Sequence, residues 1–355
     1  MFITQWVPGT YPIPFFQTWC CENSSITPSP SPGNWHDLKS AGLPPKMYDC
    51  VHHNLLMNRV GVDCIHYLFN DDECRAFIAR KYPSDVLDAY DNLIPTAFKA
   101  DLWRYCVLYM YGGVYLDIKL QFCGGGGGGS GASLRSIVER LTGGGGGGGG
   151  EGGEGGGIFV LERDAVGLWS PGRFGIHNAF IITKPKNPIL LECIFRIVSA
   201  SKCGGGGGGC GGWGVTGAYD VGWMTRPLFV TGPGLLGDVW RWWHSRQRSG
   251  GGGDDDDDVP DSYATMAPYF RFFFEGDGRI GYLMDGGRYV QLLKVYDGYH
   301  DEYNHIAVHR VPHYTVLWSR GVVWGGGSAP QRRGTTFYRL KGASPHKNMT
   351  PAPPP

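Results

Sequence analysis

The stretch AFKADLWRYCVLYMYGGVYLDIKLQ, residues 97–121, decides how this chain is read. At about 100° per residue, Leu102, Trp103, Tyr105, Cys106, Val107, Leu108, Tyr109 and Met110 cover nearly every face of a helix. A helix that is apolar all round is a buried one. This one nevertheless carries Asp101 and Arg104, three residues apart and therefore side by side. Charges buried in such a helix must be paired and hydrogen-bonded. The helix alone allows two readings: a structural ion pair, or a charged pair lining a polar pocket.

The residues that follow favour the pocket. Thr96 is expected to cap the helix, and Gly112 to stop it near Tyr111. A short strand of β-branched and aromatic residues, Val114–Ile118, comes next. In α/β sheets the ligand crevice lies beyond the carboxyl ends of the strands, and Asp117 is at such an end. Side chains alternate along extended chain, so Asp117 and Lys119 should point one way and Ile118 back to the core. A carboxylate beside an ammonium suits an anionic, hydroxyl-rich ligand.

Further out, residues 71–92 read as two short helices broken at Pro83. Ile176–Thr183 reads as a strand, and Asn187-Pro188 as the opening of a helix to about residue 200. Leu235–Arg246 is a helix after the turn Thr231-Gly-Pro-Gly, and Tyr269–Glu275 with Ile280–Met284 a hairpin. Strands alternating with helices predict an α/β domain: a single mixed, mostly parallel sheet flanked by helices.

Glycine is in excess, 59 of 355 residues, against a usual level of about 7%. The excess is concentrated in runs, which divide the chain into a folded unit at 1–324, with insertions at about 124–131, 143–157, 203–212 and 250–258, and a disordered tail at 325–355. Such tracts cannot offset ordering entropy by burial. A phosphate-cradling loop would need Lys-Ser/Thr at the start of a following helix, and none of the runs has it. The Asp254–Asp258 run beside one of them reads as a solvated loop. None of the ten cysteines forms C-x-x-C, which suits buried reduced thiols. Formal net charge is zero, which argues against a nucleic-acid partner. No apolar run is long enough for a membrane span, and the proline-bearing start does not read as a signal peptide. The expected location is cytoplasmic.

The string KADLWRY…LY-x-YGG-V-Y-L-D-I resembles the signature of family 32 glycosyltransferases, the group with α-mannosyl-, α-galactosyl- and α-N-acetylglucosaminyltransferases. The same core occurs in the glucosyltransferase domains of large clostridial toxins. Pro12 through Gln17-Thr18-Trp19 resembles the family's opening strand, His177 to Pro188 a later strand and helix start, Thr231-Gly232-Pro233 its T-G-P turn, and His313 to Trp318 its closing H-x-x-x-x-W. The texture is similar to glycosyltransferase-like proteins of large DNA viruses.

The resemblance implies a nucleotide-diphospho-sugar transferase fold of the GT-A type, a nucleotide-sugar donor, a glycan or other hydroxyl acceptor, and retention at the transferred carbon. It implies that Asp101 and Arg104 hold donor-sugar hydroxyls, that Asp117 meets the ribose or a metal-bound water, and that Asn178 lies over the sugar's reacting face. Gln17 and Trp19 would line the nucleotide pocket, Thr231 and Gly232 the donor site, and Trp318 would close over the diphosphate. Two positions depart from the pattern. Phe16 replaces a histidine, and Lys119 replaces the second carboxylate of D-x-D, the one that serves a divalent cation (Mn2+ or Mg2+). His313 with Asp117 is the remaining candidate metal pair. Three readings stay open: a metal-dependent transferase, a metal-independent one in which Lys119 replaces the cation, and an inactive sugar-nucleotide- or glycan-binding protein on the same fold. Trp240, Trp242 and Trp243 read as core packing of a helix rather than a sugar platform.

Overall fold

The computed structural model describes residues 3–19, 42–123, 133–141, 157–162, 175–202, 226–248, 270–275, 278–285, 288–302, 314–320 and 322–325. The aspartate run, the tail beyond residue 325, His313 and most of the glycine-rich insertions lie outside them. Gly157 does not: it is the first residue of a strand, so the second insertion ends at 156.

The strands are β1 (Ile13–Thr18), β2 (Cys64–Phe69), β3 (Gly113–Leu116), β4 (Leu120–Phe122), β5 (Gly157–Glu162), β6 (Gly175–Thr183), β7 (Phe270–Glu275), β8 (Gly278–Asp285) and β9 (Arg288–Val295). The helices are α1 (Pro45–Met57), α2 (Asp71–Lys81), α3 (Ser84–Asn92), α4 (Thr96–Tyr111), α5 (Leu134–Leu141), α6 (Pro188–Lys202), α7 (Pro233–Arg248) and α8 (Tyr314–Ser319). The strands form one sheet in the order β2-β1-β3-β6-β5-β7-β8-β9-β4.

The sheet is mixed, but it is not mostly parallel. Only β1–β2, β1–β3 and β5–β7 run parallel; β3–β6, β5–β6, β7–β8, β8–β9 and β4–β9 are antiparallel. The reason is local. Two residues separate β7 from β8, and two separate β8 from β9. A connection that short joins only antiparallel neighbours, because a parallel pair needs a crossover.

Strand alternation sorts the core into two clusters. Phe16, Tyr67, Phe69, Tyr115 and Ile181 pack with α2, α3, α4, α6 and α7. Ile13, Phe15, Val114, Leu116, Phe180 and Ile182 pack with α1, α5 and β4. Neighbours along each strand therefore face opposite layers, as a period of two requires. Trp240 and Trp243 pack against the first cluster, consistent with core filling. Cys50, Cys64, Cys74, Cys106 and Cys193 are buried free thiols. Burial pushes Cys50 and Cys64 up to about 12, too high for a reactive thiolate.

The chain closes on itself beside β3. Strands β3 and β4 stand six places apart in the sheet, yet only residues 117–119 join them. Six interstrand steps span about 28 Å, whereas the four steps from Leu116 to Leu120 reach at most about 14 Å. The sheet must curl so that β9 and β4 return to the end of β3. The seam is tied by Leu120 N–H to Asp117 O at 2.9 Å and Tyr296 N–H to Lys119 O at 3.1 Å. Glu302, just past β9, reaches α1, where it accepts from Lys46 N at 2.8 Å and Met47 N at 3.1 Å. That helix begins Pro44-Pro45 with no side-chain cap of its own, so a distant carboxylate serves its N-terminus.

Asn54 of α1 holds β4 from its other side. Its Nδ2 donates to Leu120 O and its Oδ1 accepts from Phe122 N, each at 2.8 Å, so the amide imitates a neighbouring strand. Asn54 is fully buried. Asn54→Ala should leave Phe122 N–H unpaired, costing about 1–3 kcal/mol, and leave Leu120 O only the weak Cys50 thiol donor at 3.5 Å. Chemical denaturation checks this, and a free energy of unfolding within about 0.5 kcal/mol of wild type, the range of an ordinary surface substitution, would refute the role.

Candidate functional site

Helix α4 is buried nearly all round, as its pattern requires. Thr96 is its first helical residue rather than its cap: Pro95 precedes it and no side chain caps that end. Gly112 does terminate it, with φ of +67°. The strand is shorter than the sequence suggests. It ends at Leu116, and Ile118 and Lys119 lie in the turn to β4. Asp117 still extends the ladder, donating its N–H to Ala179 O of β6 at 2.7 Å. That bond brings Asp117 beside Asn178.

Four charged side chains meet there. Arg104 Nη2 lies 2.9 Å from Asp101 Oδ1, and Arg104 Nη1 lies 3.3 Å from Asp117 Oδ1. Lys119 Nζ lies 3.1 Å from Asp117 Oδ2. Arg104 also donates through Nη1 to Asn178 O at 2.7 Å and stands 4.3 Å over the Tyr115 ring. Asp101 Oδ1 accepts from Asn178 Nδ2 at 2.9 Å, and its Oδ2 from Thr231 Oγ1 at 2.8 Å. Tyr115 Oη donates to Asp117 Oδ1 at 2.8 Å. The sequence-predicted residues Asp101, Arg104, Asp117, Lys119, Asn178 and Thr231 are thus assembled into one network. Gly232 belongs beside it, since a Cβ there would lie 3.6 Å from Asp101 Oδ2.

The network is buried but not sealed. The side chains of Asp117 and Lys119 keep 19% and 22% of their surface, against 6% for Arg104. A carboxylate has about four acceptor positions. Asp101 uses three of them, for Arg104, Asn178 and Thr231, and Asp117 uses three, for Arg104, Tyr115 and Lys119. Among the described residues, one acceptor position on each carboxylate has no donor and can take a hydroxyl.

Electrostatics separates the two acids. Burial pushes the Asp101 carboxyl up, and Arg104, Thr231 and Asn178 oppose that rise without cancelling it. Burial acts on Asp117 in the same sense, but Lys119 and Arg104 outweigh it and hold the carboxyl well below the usual carboxylate range. Arg104 loses solvation, yet Tyr115, Asp101 and Asp117 keep its proton more firmly held than usual.

Gln17 has a different position from the pocket-lining one. It is fully buried, donating from Nε2 to Leu116 O at 3.3 Å and bonded through Oε1 to His66 Nε2 at 3.0 Å. Burial lowers His66 to about 3, so the ring is neutral and Nε2–H is the donor to Gln17. Together they brace the residue before Asp117. Trp19 packs against the α1 and α5 cluster, and Trp318 of α8 against the α4 cluster. Sequence reasoning gave no role to Tyr115, His66 or Tyr105, whose hydroxyl donates to Thr231 O at 2.7 Å. A histidine inside the apolar strand CIHYLF was the available signal for His66.

Residues 52–121 match a family model described as "Glycosyltransferase sugar-binding region containing DXD motif". The match runs from within α1 to within β4 and includes Asp101, Arg104, Asp117 and Lys119. Over 58 residues the chain is 43% identical to "Inositol phosphoceramide mannosyltransferase 3" of Schizosaccharomyces pombe. That alignment takes in 16% of this chain and spans 16% of the relative's length. Among solved structures, "PaToxG Glycosyltransferase" is similar with a TM-score of 0.36 and 14% identity, over 67% of this chain and 73% of that one.

A D-x-D motif implies a divalent cation, and the described residues do not fit one; His313, the other candidate ligand, lies outside them. Lys119 occupies the second position, and Asp117 already faces two cations. A divalent ion about 4 Å from an ammonium is repelled by about 8 kcal/mol at an effective dielectric of about 20, and Arg104 adds a term of the same sign. Among the described residues, no three His, Cys, Asp or Glu side chains are grouped to hold a metal.

Proposed function

We propose that this protein transfers a sugar from a nucleotide-diphosphate donor to a hydroxyl acceptor, on a fold of the GT-A type and with retention of configuration. One observation carries the reading. Inside a region that matches a glycosyltransferase sugar-binding model, Asp101, Arg104, Asp117 and Lys119 converge where β3 ends, and among the described residues each carboxylate has an acceptor position without a donor. The mannosyltransferase likeness favours a hexose donor.

In this reading the free acceptor positions of Asp101 and Asp117 take donor hydroxyls. Arg104 fixes both carboxylates, and Asn178 and Thr231 orient Asp101. Gln17 and His66 act behind the site, holding the strand end. The sugar–phosphate bond breaks, the acceptor oxygen bonds to the same face of the sugar, and its proton passes to the leaving phosphate. The residues then contribute mainly positioning and charge stabilisation.

The alternative, an inactive sugar-nucleotide-binding protein on the same fold, has one observation in its favour: Asp117 is already neutralised by Arg104 and Lys119. One experiment separates the two. The protein is incubated with UDP- and GDP-hexoses and simple glycoside acceptors, with product and anomer followed by NMR. Release of nucleotide diphosphate with a retained glycosidic bond is expected. Donor binding without turnover would support the alternative, and an inverted product would overturn retention.

A further inference from the structure

We propose that Lys119 takes the place of a divalent cation at this site, its ammonium meeting the donor's diphosphate so that donor binding needs no metal. The inference rests on the transferase reading above and names the group that receives the phosphate charge.

Two carboxylates, Asp101 and Asp117, face the guanidinium of Arg104 and the ammonium of Lys119, so the cluster sums to zero. A carboxylate at position 119 would set three negative groups against one positive, a sum of −2, which a divalent cation cancels. The lysine therefore supplies the same two-charge change that the metal supplies to a D-x-D site.

The backbone of the 117–119 turn is fixed by Leu120 N–H to Asp117 O and Tyr296 N–H to Lys119 O. The Lys119 side chain retains 22% of its surface. It ends in an ammonium with three rotatable donors on a flexible stem. It can hold Asp117 when the site is free and turn toward a phosphate when a donor is bound.

Lys119 is not required to hold Asp117 in place. Asp117 keeps Arg104 and Tyr115 as partners without it. A partly exposed pair of this kind contributes little to folding. An ion-pair role alone therefore leaves the lysine with no task that Arg104 does not already perform.

The test measures binding, so it does not depend on finding an acceptor. Wild type, Lys119→Ala and Lys119→Asp are titrated calorimetrically with UDP, GDP and pyrophosphate, in excess EDTA and again in Mn2+. Thermal melts of the unliganded variants check folding. Wild type is expected to bind a nucleotide diphosphate in EDTA. Lys119→Ala should weaken that binding roughly tenfold or more, the worth of one charge-assisted hydrogen bond. Lys119→Asp should lose it in EDTA and regain it in Mn2+. Wild-type binding that needs Mn2+ and ignores Lys119→Ala would overturn the proposal and leave the transferase reading standing. Binding in EDTA that is unchanged in either variant would overturn it too. No binding by wild type under any condition would sink both.

Discussion

Arg104→Ala should lower the melting temperature by an amount of the order of 10 °C and abolish sugar transfer, whereas Asp101→Asn should lose transfer and keep its fold. Arg104 is 5% exposed and touches Asp101, Asp117, Asn178 and Tyr115. Removing it strands Asp101 beside Asp117 with no guanidinium between them. Breaking a buried pair by deleting one partner costs about 3–5 kcal/mol, and each kcal/mol is worth about 2–4 °C in a domain of this size.

Asp101→Asn is a cleaner change. Asn keeps an acceptor where Oδ1 receives Arg104 and Asn178, and it puts an amide where Oδ2 faces Thr231. The Thr231 hydroxyl can rotate from donor to acceptor, so no buried group is left unpaired. What is lost is the negative charge offered to a hydroxyl. Charge-assisted hydrogen bonds contribute about 1.5–3 kcal/mol, so turnover should fall at least tenfold, to a hundredfold or more.

The same substitution has a pH signature. The folded-state pKa of Asp101 is raised, so its stabilising contribution is full below the unfolded value of about 3.9 and is lost as pH rises through the folded one. Asp101→Asn should remove that loss. Asp117 works in the opposite sense: its folded pKa is depressed, so its contribution is present above the unfolded value and lost as pH falls through the folded one. Thermal melts from pH 3 to 7, with donor turnover at pH 7, check the Asp101 term; the Asp117 term only begins to fall below about pH 4, so its loss is followed by extending the melts further into acid. Wild-type turnover in Asp101→Asn would defeat the donor-site role of Asp101. A melting temperature for Arg104→Ala within 2 °C of wild type would show that the network is not an energetic unit.

What the sequence disclosed here, and what it hid, follows from range. The Asp101–Arg104 pair is set by i,i+3 geometry, which one helix period predicts. Asp117 and Lys119 do meet, as alternation predicts, but they meet across a turn, because the strand ends at Leu116 and Ile118 and Lys119 are no longer extended. Gly112, Asn187 and Pro83 act on neighbouring backbone, so the ends of α4, α6 and α2 were legible; Asn187 Oδ1 accepts from Ile189 N at 2.9 Å. The hidden features need register between distant segments. Nothing local pairs β4 with β9, so neither the curl of the sheet nor its antiparallel majority could be read from alternating elements. Gln17 and His66 lie 49 residues apart and meet only because β1 and β2 run parallel in a particular register.

Gly113→Ala should be the most destabilising single-methyl change near the site. Gly113 opens β3 with φ of +96°, and a Cβ there would lie 2.3 Å from Pro14 O and 3.0 Å from Pro14 Cβ. The nearest atom is backbone, not the end of a flexible side chain. It belongs to β1, whose register with β3 pairs Phe15 with Val114 and Phe16 with Tyr115. Making room for the methyl means parting those strands. Tyr115 moves with them, and its bond to Asp117 goes too. Backbone strain of about 1–3 kcal/mol then adds to overpacking of about 1–3 kcal/mol. Gly61 supplies the control, because its φ is +88° but a Cβ there would meet nothing within 4 Å. Gly61→Ala carries the conformational cost without the clash. Thermal melts of the two variants should differ by several degrees, with Gly113→Ala lower and poorer in donor binding. Equal melting temperatures would mean that backbone conformation, rather than the close approach of β1 to β3, is what requires glycine at position 113.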